Sequence, residues 1–339
     1  MPAGILREIL LGYVKNRTEA HVIEHSFNHN NVAFLPEIGY FKRGSDPEKL
    51  FLVGPDNSGN TEMEFEPVLK IDGFEIMKHI HPLLHPHFTE FYNGENHELT
   101  SPYHSTWKKH TEALEKALYI IKVHIPDFYE KLQFTNKRIY IHDNLKVINF
   151  VTLETHGMLY FNTLDSNDEI YFLEELIHQG SHNYLNVVFY NKSEFFKMDV
   201  EREIMKDNGG AKVDTRTIYS AFHGLYTVTK RLEYFDLLLS KGIFSGRKKH
   251  ELLGRLTDQF SRFRTGLGSL DLDRVYTEKG KEFYFHLEEL GDSILSKYHL
   301  LPQLFDLSNR DVDFRYEEFC LLNPIEKFNE FEAKGQLSF

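Results

Sequence analysis

The chain has a single cysteine, Cys320, among its 339 residues, so no disulfide can form within it. Disulfides are frequent in secreted proteins and rare in the reducing cytosol, and this scarcity therefore favours an intracellular protein. No apolar run approaches the roughly 20 residues that a membrane-spanning helix needs. The first residues lack a basic segment followed by an apolar one, so no secretion signal is expected. The sequence predicts a cytoplasmic protein.

Positive charge is also scarce. The chain has 39 Lys and Arg against 51 Asp and Glu, a formal net charge of −12 at pH 7. Surfaces that bind nucleic acid or anionic lipid need clustered Lys and Arg, and the run Arg247 to Lys249 is too short to supply one. Neither nucleic acid nor a membrane is expected as a partner, and the sequence does not indicate an oligomeric state.

Aromatic residues, in contrast, are abundant, with 29 Phe and 18 Tyr, and they readily build a core. We expect an α+β fold rich in helix, in which a metal-bearing helix packs beside a small sheet and a bundle-like set of helices forms the C-terminal half. The expected divisions are a mixed N-terminal region that is a candidate for peptide binding (1–145), a metal-binding catalytic region (146–300), and a tail packed on the core (301–339).

Hydrophobic periodicity and turn residues predict the elements. Helices are expected over about 106–131, with Pro126 as an end or a new start, and over 166–191, 214–241, 248–267 and 278–297. Strands are expected at 138–142, 148–153 and 158–161. A capping box of Ser166 and Glu169 should start the helix expected at 166–191, and Asp214 or Thr215 should cap the helix expected at 214–241. Residues 5–11 also show helical spacing, and the tail after Pro302 gives no clear element.

Two histidines, His178 and His182, stand four residues apart in the helix that begins near residue 166. Such side chains share one helix face, one turn apart, and two imidazoles so placed can bind one metal ion, as in the His-Glu-x-x-His metal helix. Gln179 occupies the place of the glutamate that takes a proton from metal-bound water in zinc peptidases. An amide is no base near neutral pH, and losing a general base typically costs about 10²–10⁴-fold in rate. Hydrolysis is therefore not the expected chemistry, although Glu174 or Glu175 is left open as a displaced base.

A third histidine, His223, lies on the next long helix among core-like residues, and it is the candidate third ligand. The alternative is an ordinary buried histidine whose hydrogen bonds are satisfied in the core. A three-ligand site with open positions suits Fe(II) and O₂ chemistry as well as zinc. A 2-oxoglutarate-dependent oxygenase needs no carboxylate base, but it does need a cation for the distal carboxylate of the oxoacid.

Arginine suits that carboxylate because its planar fork pairs with two oxygens. Arg216 precedes His223 by seven residues, about two helical turns, and is the first candidate. Arg264, Arg231 and Arg262 are the alternatives, and a surface ion pair is the other interpretation of each. Hydrogen bonds around the ligands are expected from Gln179, Glu175 and Tyr219.

A histidine-rich stretch, His79 to His87, resembles a metal site at first. Pro82 and Pro86 interrupt any regular helical face there, so no pair of ligands is set up at helical spacing. The stretch is predicted to be a proline-rich surface loop, with a second metal or substrate contact as the alternative.

Several separated blocks together resemble the HExxH-motif peptide-modification proteins of ribosomal peptide natural-product pathways. The likeness covers roughly residues 150–300, with Gln179 in place of the motif glutamate, and rests on THGML (155–159), LIHQGSH (176–182), DTRTI (214–218) and FHGLY (222–226). Members of this family are Fe(II)/2-oxoglutarate-dependent peptide β-hydroxylases. The resemblance implies that His178, His182 and His223 are iron ligands and that a precursor peptide is the substrate.

The expected function is thus hydroxylation of the β-carbon of a residue in a ribosomally synthesised peptide, with Fe(II), 2-oxoglutarate and O₂ and no catalytic group beyond the ligands. Zinc is the alternative metal. A zinc-dependent, peptidase-like hydrolase with a displaced base and a non-catalytic peptide-binding relative are the alternative functions. The peptide and its modified residue are not indicated.

Overall fold

The computed structural model describes residues 32–37, 39–43, 63–80, 84, 88, 103–144, 147–267, 270–310 and 313–337. The helical spacing at 5–11 lies outside the described residues, as does most of the stretch His79 to His87. Within the described part, no helix is long and apolar enough to cross a membrane.

The fold is α+β and rich in helix, as predicted. Its strands are β1 (Val32–Leu35), β2 (Gly39–Arg43), β3 (Met63–Pro67), β4 (Leu69–Ile71), β5 (Phe74–Met77), β6 (Arg138–His142) and β7 (Met158–Asn162). Its helices are α1 (Tyr103–His124), α2 (Pro126–Thr135), α3 (Glu169–Val188), α4 (Ile218–Ser240), α5 (Gly246–Leu267), α6 (Leu272–Val275), α7 (Glu278–Lys297), α8 (Leu301–Leu304), α9 (Tyr316–Leu322) and α10 (Ile325–Ala333).

The chain divides into two compact units. One comprises the described residues up to Thr111 with Asn136–Asp165, and the other comprises Glu112–Thr135 with the described residues from Ser166 onward. The boundary falls inside α1 and again just before α3. The expected functional divisions at 1–145, 146–300 and 301–339 stay a prediction.

The first unit holds two small sheets. Strands β1, β2 and β3 pair antiparallel, whereas in the second sheet β4 pairs antiparallel with β5 and then β5, β6 and β7 run parallel. The core beside them is aromatic, and the rings of Phe150 and Tyr160 stack with centroids 4.4 Å apart. Parallel strands are usually covered on both faces, which agrees with the unbroken burial of Met158, Leu159, Tyr160 and Phe161.

The second unit is helical. Helix α3 packs against α2 and α4, and α4 packs against α5 and α7. Gly180 makes the first of these contacts possible, because a Cβ at this position would lie 2.4 Å from Leu132 Cδ1. A mid-helix glycine costs roughly 1 kcal/mol relative to alanine, and here it permits the close approach of α2.

The start of α3 corrects one expectation. Asp168, not Ser166, is the N-cap, and its carboxylate accepts a hydrogen bond from the Ile170 amide at 2.9 Å. Asp168 also pairs with Arg247 of α5. Because the carboxylate is held there and favours the positive end of the helix, the helix begins two residues later than a Ser166 capping box requires. Its end at Val188 agrees with the predicted end near 187–191.

The start of α4 corrects a second expectation. Its N-cap is Thr217, whose hydroxyl accepts from the Ser220 amide at 3.1 Å, and neither Asp214 nor Thr215 caps the helix. The Asp214 carboxylate is occupied by the amide and guanidinium of Arg216. Arg216 therefore precedes the helix. The prediction that it lies on the same helix as His223, two turns before it, was wrong.

The remaining elements mostly follow the predictions. The helices near 106–131, 248–267 and 278–297 and the strands at 138–142 and 158–161 are confirmed. The strand expected at 148–153 was wrong, since only Phe150 forms a bridge, to Tyr160, and Leu153–Thr155 is a short 3-10 helix. The tail, for which no element was predicted, forms α8, α9 and α10.

Candidate metal centre

Helix α3 places His178 and His182 side by side, as their spacing predicts. Their Nε2 atoms are 3.3 Å apart and their ring centroids 5.0 Å apart. Two nitrogens that share one ion at about 2.0–2.1 Å are separated by a similar distance in tetrahedral geometry. Leu176, which the helical period places on the opposite side of the same helix from His178, is fully buried in the core, as is the neighbouring Ile177. The helix thus holds the pair by packing that does not involve the imidazoles.

Helix α4 brings His223 to this pair. The Nδ1 atoms of His182 and His223 are 2.9 Å apart, and their rings stack at 19° with centroids 5.2 Å apart. The neighbours of His223 in sequence, Phe222 and Leu225, are buried. The three histidines that the sequence singled out therefore form one row of rings, with His182 in the middle.

All three imidazoles are held neutral. Burial lowers the pKa of His178 and His182 well below its usual range, and it lowers the pKa of His223 to about 4. The charge of Arg231 adds to the effect on His178, and the neighbouring imidazoles add to the effect on His182. A neutral imidazole keeps a lone pair, which is the form that binds metal.

Three imidazole nitrogens are suitable ligands for a transition metal such as iron or zinc. The placement of the rings suits one shared ion only for His178 and His182, because His182 directs Nε2 to His178 but Nδ1 to His223. Among the described residues, no three His, Cys, Asp or Glu side chains converge as the ligands of one ion. His223 Nε2 is buried and has no hydrogen-bond partner among the residues that the structure describes, so it is an unsatisfied donor or acceptor next to the pair. The histidines that would hold a metal are together, but in this arrangement they contact one another.

Gln179 and Glu175 lie behind His178, on its Nδ1 side. Gln179 Nε2 donates to Glu175 Oε2 at 3.2 Å and lies 3.3 Å from His178 Nδ1, and Glu175 Oε2 is 3.6 Å from the same nitrogen. Burial, with the charge of Glu174, raises the pKa of Glu175 to about 7. Both side chains therefore surround His178 as predicted, on the nitrogen that faces away from His182.

Glu174 belongs to a buried ion-pair network. Its carboxylate accepts from Arg231 Nη1 at 3.1 Å and from Arg255 Nη1 at 2.5 Å, and Arg255 also bonds Glu251 at 2.7 Å. Burial alone would raise the pKa of Glu174, but the charges of Arg255 and Arg231 outweigh it and lower that pKa. The network links α3, α4 and α5 one turn before His178, and it leaves Glu174 ionised and occupied.

The candidate arginines differ in their surroundings. Arg216 pairs with Asp214 at 2.7 Å, and its Nη1 lies 3.9 Å from where a Cβ on Gly224 would be, next to His223. Arg264 is 58% exposed and pairs with Asp292 at 2.5 Å, and no contact of the described residues links it to the histidines. Arg262 is bound to Asp258. Arg231, one of the alternatives to Arg216 in the sequence, is buried and bound to Glu174.

Tyr219 packs against His223, with ring centroids 4.4 Å apart and the rings edge to face. Its hydroxyl is buried without a hydrogen-bond partner in the described part of the chain, and burial raises the pKa of this tyrosine. Lys192 Nζ lies 4.5 Å from the centroid of the same ring and pairs with Glu201 at 3.2 Å. Lys192 was missed in the sequence, since it comes from a short 3-10 turn with no motif around it.

The three histidines are only partly covered, and the His178 side chain is 24% exposed. Comparison with protein-family models gives no match, and comparison with curated proteins gives none either.

Proposed function

We propose that this chain is an Fe(II)/2-oxoglutarate-dependent oxygenase that hydroxylates the β-carbon of a residue in a ribosomally synthesised peptide. The observation that carries the proposal is the row His178, His182 and His223, three neutral imidazoles from two helices in contact with one another. Each neutral imidazole carries one N–H and one nitrogen with a lone pair. The three rings can therefore share N–H···N hydrogen bonds as they stand, and the same lone pairs could be given to a metal ion.

Iron would be held by His178, His182 and His223, and when bound it would supply the activation of O₂ that oxidation of a C–H bond needs. The protein's own part is to fix these imidazoles and keep them neutral. The network of Glu174 with Arg231 and Arg255 supports this, because it ties α3 to α4 and α5 beside the ligands. Gln179 holds Glu175 on the Nδ1 side of His178, and this contact orients the ring.

The positions of the carboxylates favour oxygenase over hydrolase chemistry. A hydrolytic base must reach water on the ligand side of the metal. Glu174 is occupied by two arginines, and Glu175 faces Nδ1 of His178 rather than the Nε2 that meets His182. Gln179 supplies no base. Nothing in this arrangement favours the hydrolase alternative.

The cation proposed for the oxoacid is Arg216. Its guanidinium lies beside Gly224, the residue that follows His223, and it is 43% exposed. Binding would require the oxoacid to displace Asp214, since that carboxylate now occupies the fork. Arg264 is the weaker candidate because of its exposed pair with Asp292, and it serves as a matched control.

Anaerobic titration of the Fe(II)-loaded chain with 2-oxoglutarate tests the proposal. A chelated oxoacid gives a visible charge-transfer band, and we expect saturable binding that Arg216→Gln weakens by about tenfold or more, which corresponds to loss of a charge-assisted pair. Arg264→Gln should bind as the wild type does. O₂ and a cognate peptide should then yield succinate. Peptide cleavage without oxoacid would instead establish the hydrolase, and partner binding unchanged by His178→Ala with no metal bound would establish a non-catalytic binder.

A further inference from the structure

A second site lies in the helical unit, apart from the histidines. A cavity of about 660 Å³ opens between α5 and the segment that runs from α8 to α10. Ligand pockets typically measure about 300–1,000 Å³ and combine an apolar lining with a few placed polar groups. The apolar part of this lining comes from Phe260, Pro302, Leu304, Phe305 and Leu307.

Two cations face the cavity. Arg310 is anchored through Nη1 alone, to Asp258 Oδ1 at 2.7 Å and to Ser261 Oγ at 3.0 Å. Its other donors, on Nη2 and Nε, make no hydrogen bond to any residue that the structure describes. Lys327 of α10 is exposed and makes no ion pair within the described part of the chain, and its Nζ lies 5.6 Å from the centroid of the Phe331 ring.

The single acid in the lining does not cancel these charges. Asp306 accepts from the Ser308 amide at 2.8 Å. The hydrogen bonds from the Ser308 hydroxyl and amide, with the charge of Lys327, hold the pKa of Asp306 low. Asp258, beneath the cavity, is shared between Arg310 and Arg262. Two cations against one acid is a local excess of positive charge in a chain whose formal net charge is −12.

The wall that carries Asp306 is fixed rather than loose. Asn323 accepts from the Asp306 amide at 2.8 Å and donates to the Asp306 carbonyl at 2.7 Å. Asn323 is itself buried, at the end of α9. This wall of the cavity is therefore preformed, which lowers the entropy cost of binding.

We propose that this cavity binds a small organic carboxylate with an apolar body, its carboxylate on Arg310 and Lys327 and its body against Phe260, Leu304 and Phe305. This site is independent of the proposed oxygenase activity, because none of its lining residues contacts the three histidines in the structure described. Its occupant would be a regulator or a carried metabolite of that chemical class.

Calorimetric titration of the full chain with decanoate, below its aggregation concentration, tests the proposal against decanol and decylammonium. We expect one decanoate per chain, bound about tenfold or more tighter than decanol, as one charge-assisted contact implies, and no saturable binding of decylammonium. Lys327→Gln should weaken decanoate by about three- to tenfold, and Lys334→Gln, an exposed lysine whose ion pair is with Glu330, should not.

A second variant checks the location. Leu304→Trp fills the cavity and should abolish saturable binding. Lys327→Gln adds no bulk, so the test of charge does not depend on how the larger tryptophan side chain affects folding. Equal affinity for decanoate and decanol, or decanoate binding that Lys327→Gln leaves unchanged, would overturn the proposal. So would several decanoates per chain with equal affinity, which is the mark of non-specific adsorption.

Discussion

His182 and His223 stand with their Nδ1 atoms 2.9 Å apart, although 41 residues separate them in the chain. The contact joins α3 to α4 and turns a pair of histidines on one helix into a row of three. Burial keeps these rings neutral. The central claim of this account is that such a row is a metal site whose chemistry is not hydrolysis.

The buried network next to the row should be essential for stability. Glu174→Gln removes the carboxylate that Arg231 and Arg255 share. Arg255 keeps its pair with Glu251, but the buried Arg231 loses the ion pair that it makes within the described part of the chain. We expect a loss of about 3–5 kcal/mol in the free energy of unfolding, measured by urea denaturation. Arg264→Gln, which breaks the exposed pair with Asp292, should cost no more than about 1 kcal/mol. Equal effects of the two variants would contradict the assignment.

Gly180 should be needed for the contact of α3 with α2. Gly180→Ala places a Cβ against Leu132 Cδ1, and Leu132 is fully buried. Overpacking of about 1–3 kcal/mol should outweigh the roughly 1 kcal/mol gained in helix propensity. In a double-mutant cycle, Leu132→Ala should relieve the added methyl, so that the double variant loses less stability than the two single variants together. Additive losses would mean that the two sites do not touch.

Gln179 should not be replaceable by the glutamate of the peptidase motif. Gln179→Glu exchanges a hydrogen-bond donor to Glu175 for a second carboxylate in a buried position. We expect a loss of about 1–3 kcal/mol at pH 8, with no gain of peptide hydrolysis. Gln179→Met, which removes the donor without adding charge, is the control and should lose less. Appearance of zinc-dependent peptidase activity in Gln179→Glu would show that only the base was missing.

His250 offers a test of acid sensitivity away from the metal site. It is buried among Phe305, Phe319 and Phe328, it hydrogen-bonds Tyr316 Oη at 3.0 Å, and burial lowers its pKa from 6.5 to about 4. The unfolded chain binds this proton more readily than the folded one, so stability should fall as the pH drops below about 6.5 and continue to fall toward about 4.

His250→Phe removes that contribution. The variant should lose about 1 kcal/mol at pH 7 through the hydrogen bond to Tyr316, and its stability should then depend less steeply on pH between 6.5 and 4. The three histidines of the row still contribute to the slope in both proteins. Urea denaturation at several pH values measures this dependence, and identical slopes would mean that folding does not lower the pKa of His250.

Parts of this structure follow from local sequence. The pair His178 and His182 was predictable because the helical period alone puts residues four apart on one face. The ends of several elements were less predictable. Asp168 rather than Ser166 caps α3 because Arg247, 79 residues away, meets its carboxylate, and a cap chosen by a distant partner cannot be identified from local pattern.

The wider site depends on packing between helices. Sequence suggested His223 but could not give its contact with His182, and it placed Arg216 in a helix that begins only at Ile218. The partners of Glu174 lie 57 and 81 residues away. Such pairings depend on how α3, α4 and α5 are packed, and no motif records them.

Metal content is the most direct test of the central claim. Chain purified without added metal, then equilibrated with one equivalent of Fe(II) under anaerobic conditions and desalted, should retain about one ion per chain by elemental analysis. His178→Ala, His182→Ala and His223→Ala should each lose it, and His286→Ala, an exposed histidine on α7, should keep it. A folded wild-type chain that retains no iron or zinc, or single variants that all retain it, would contradict the account.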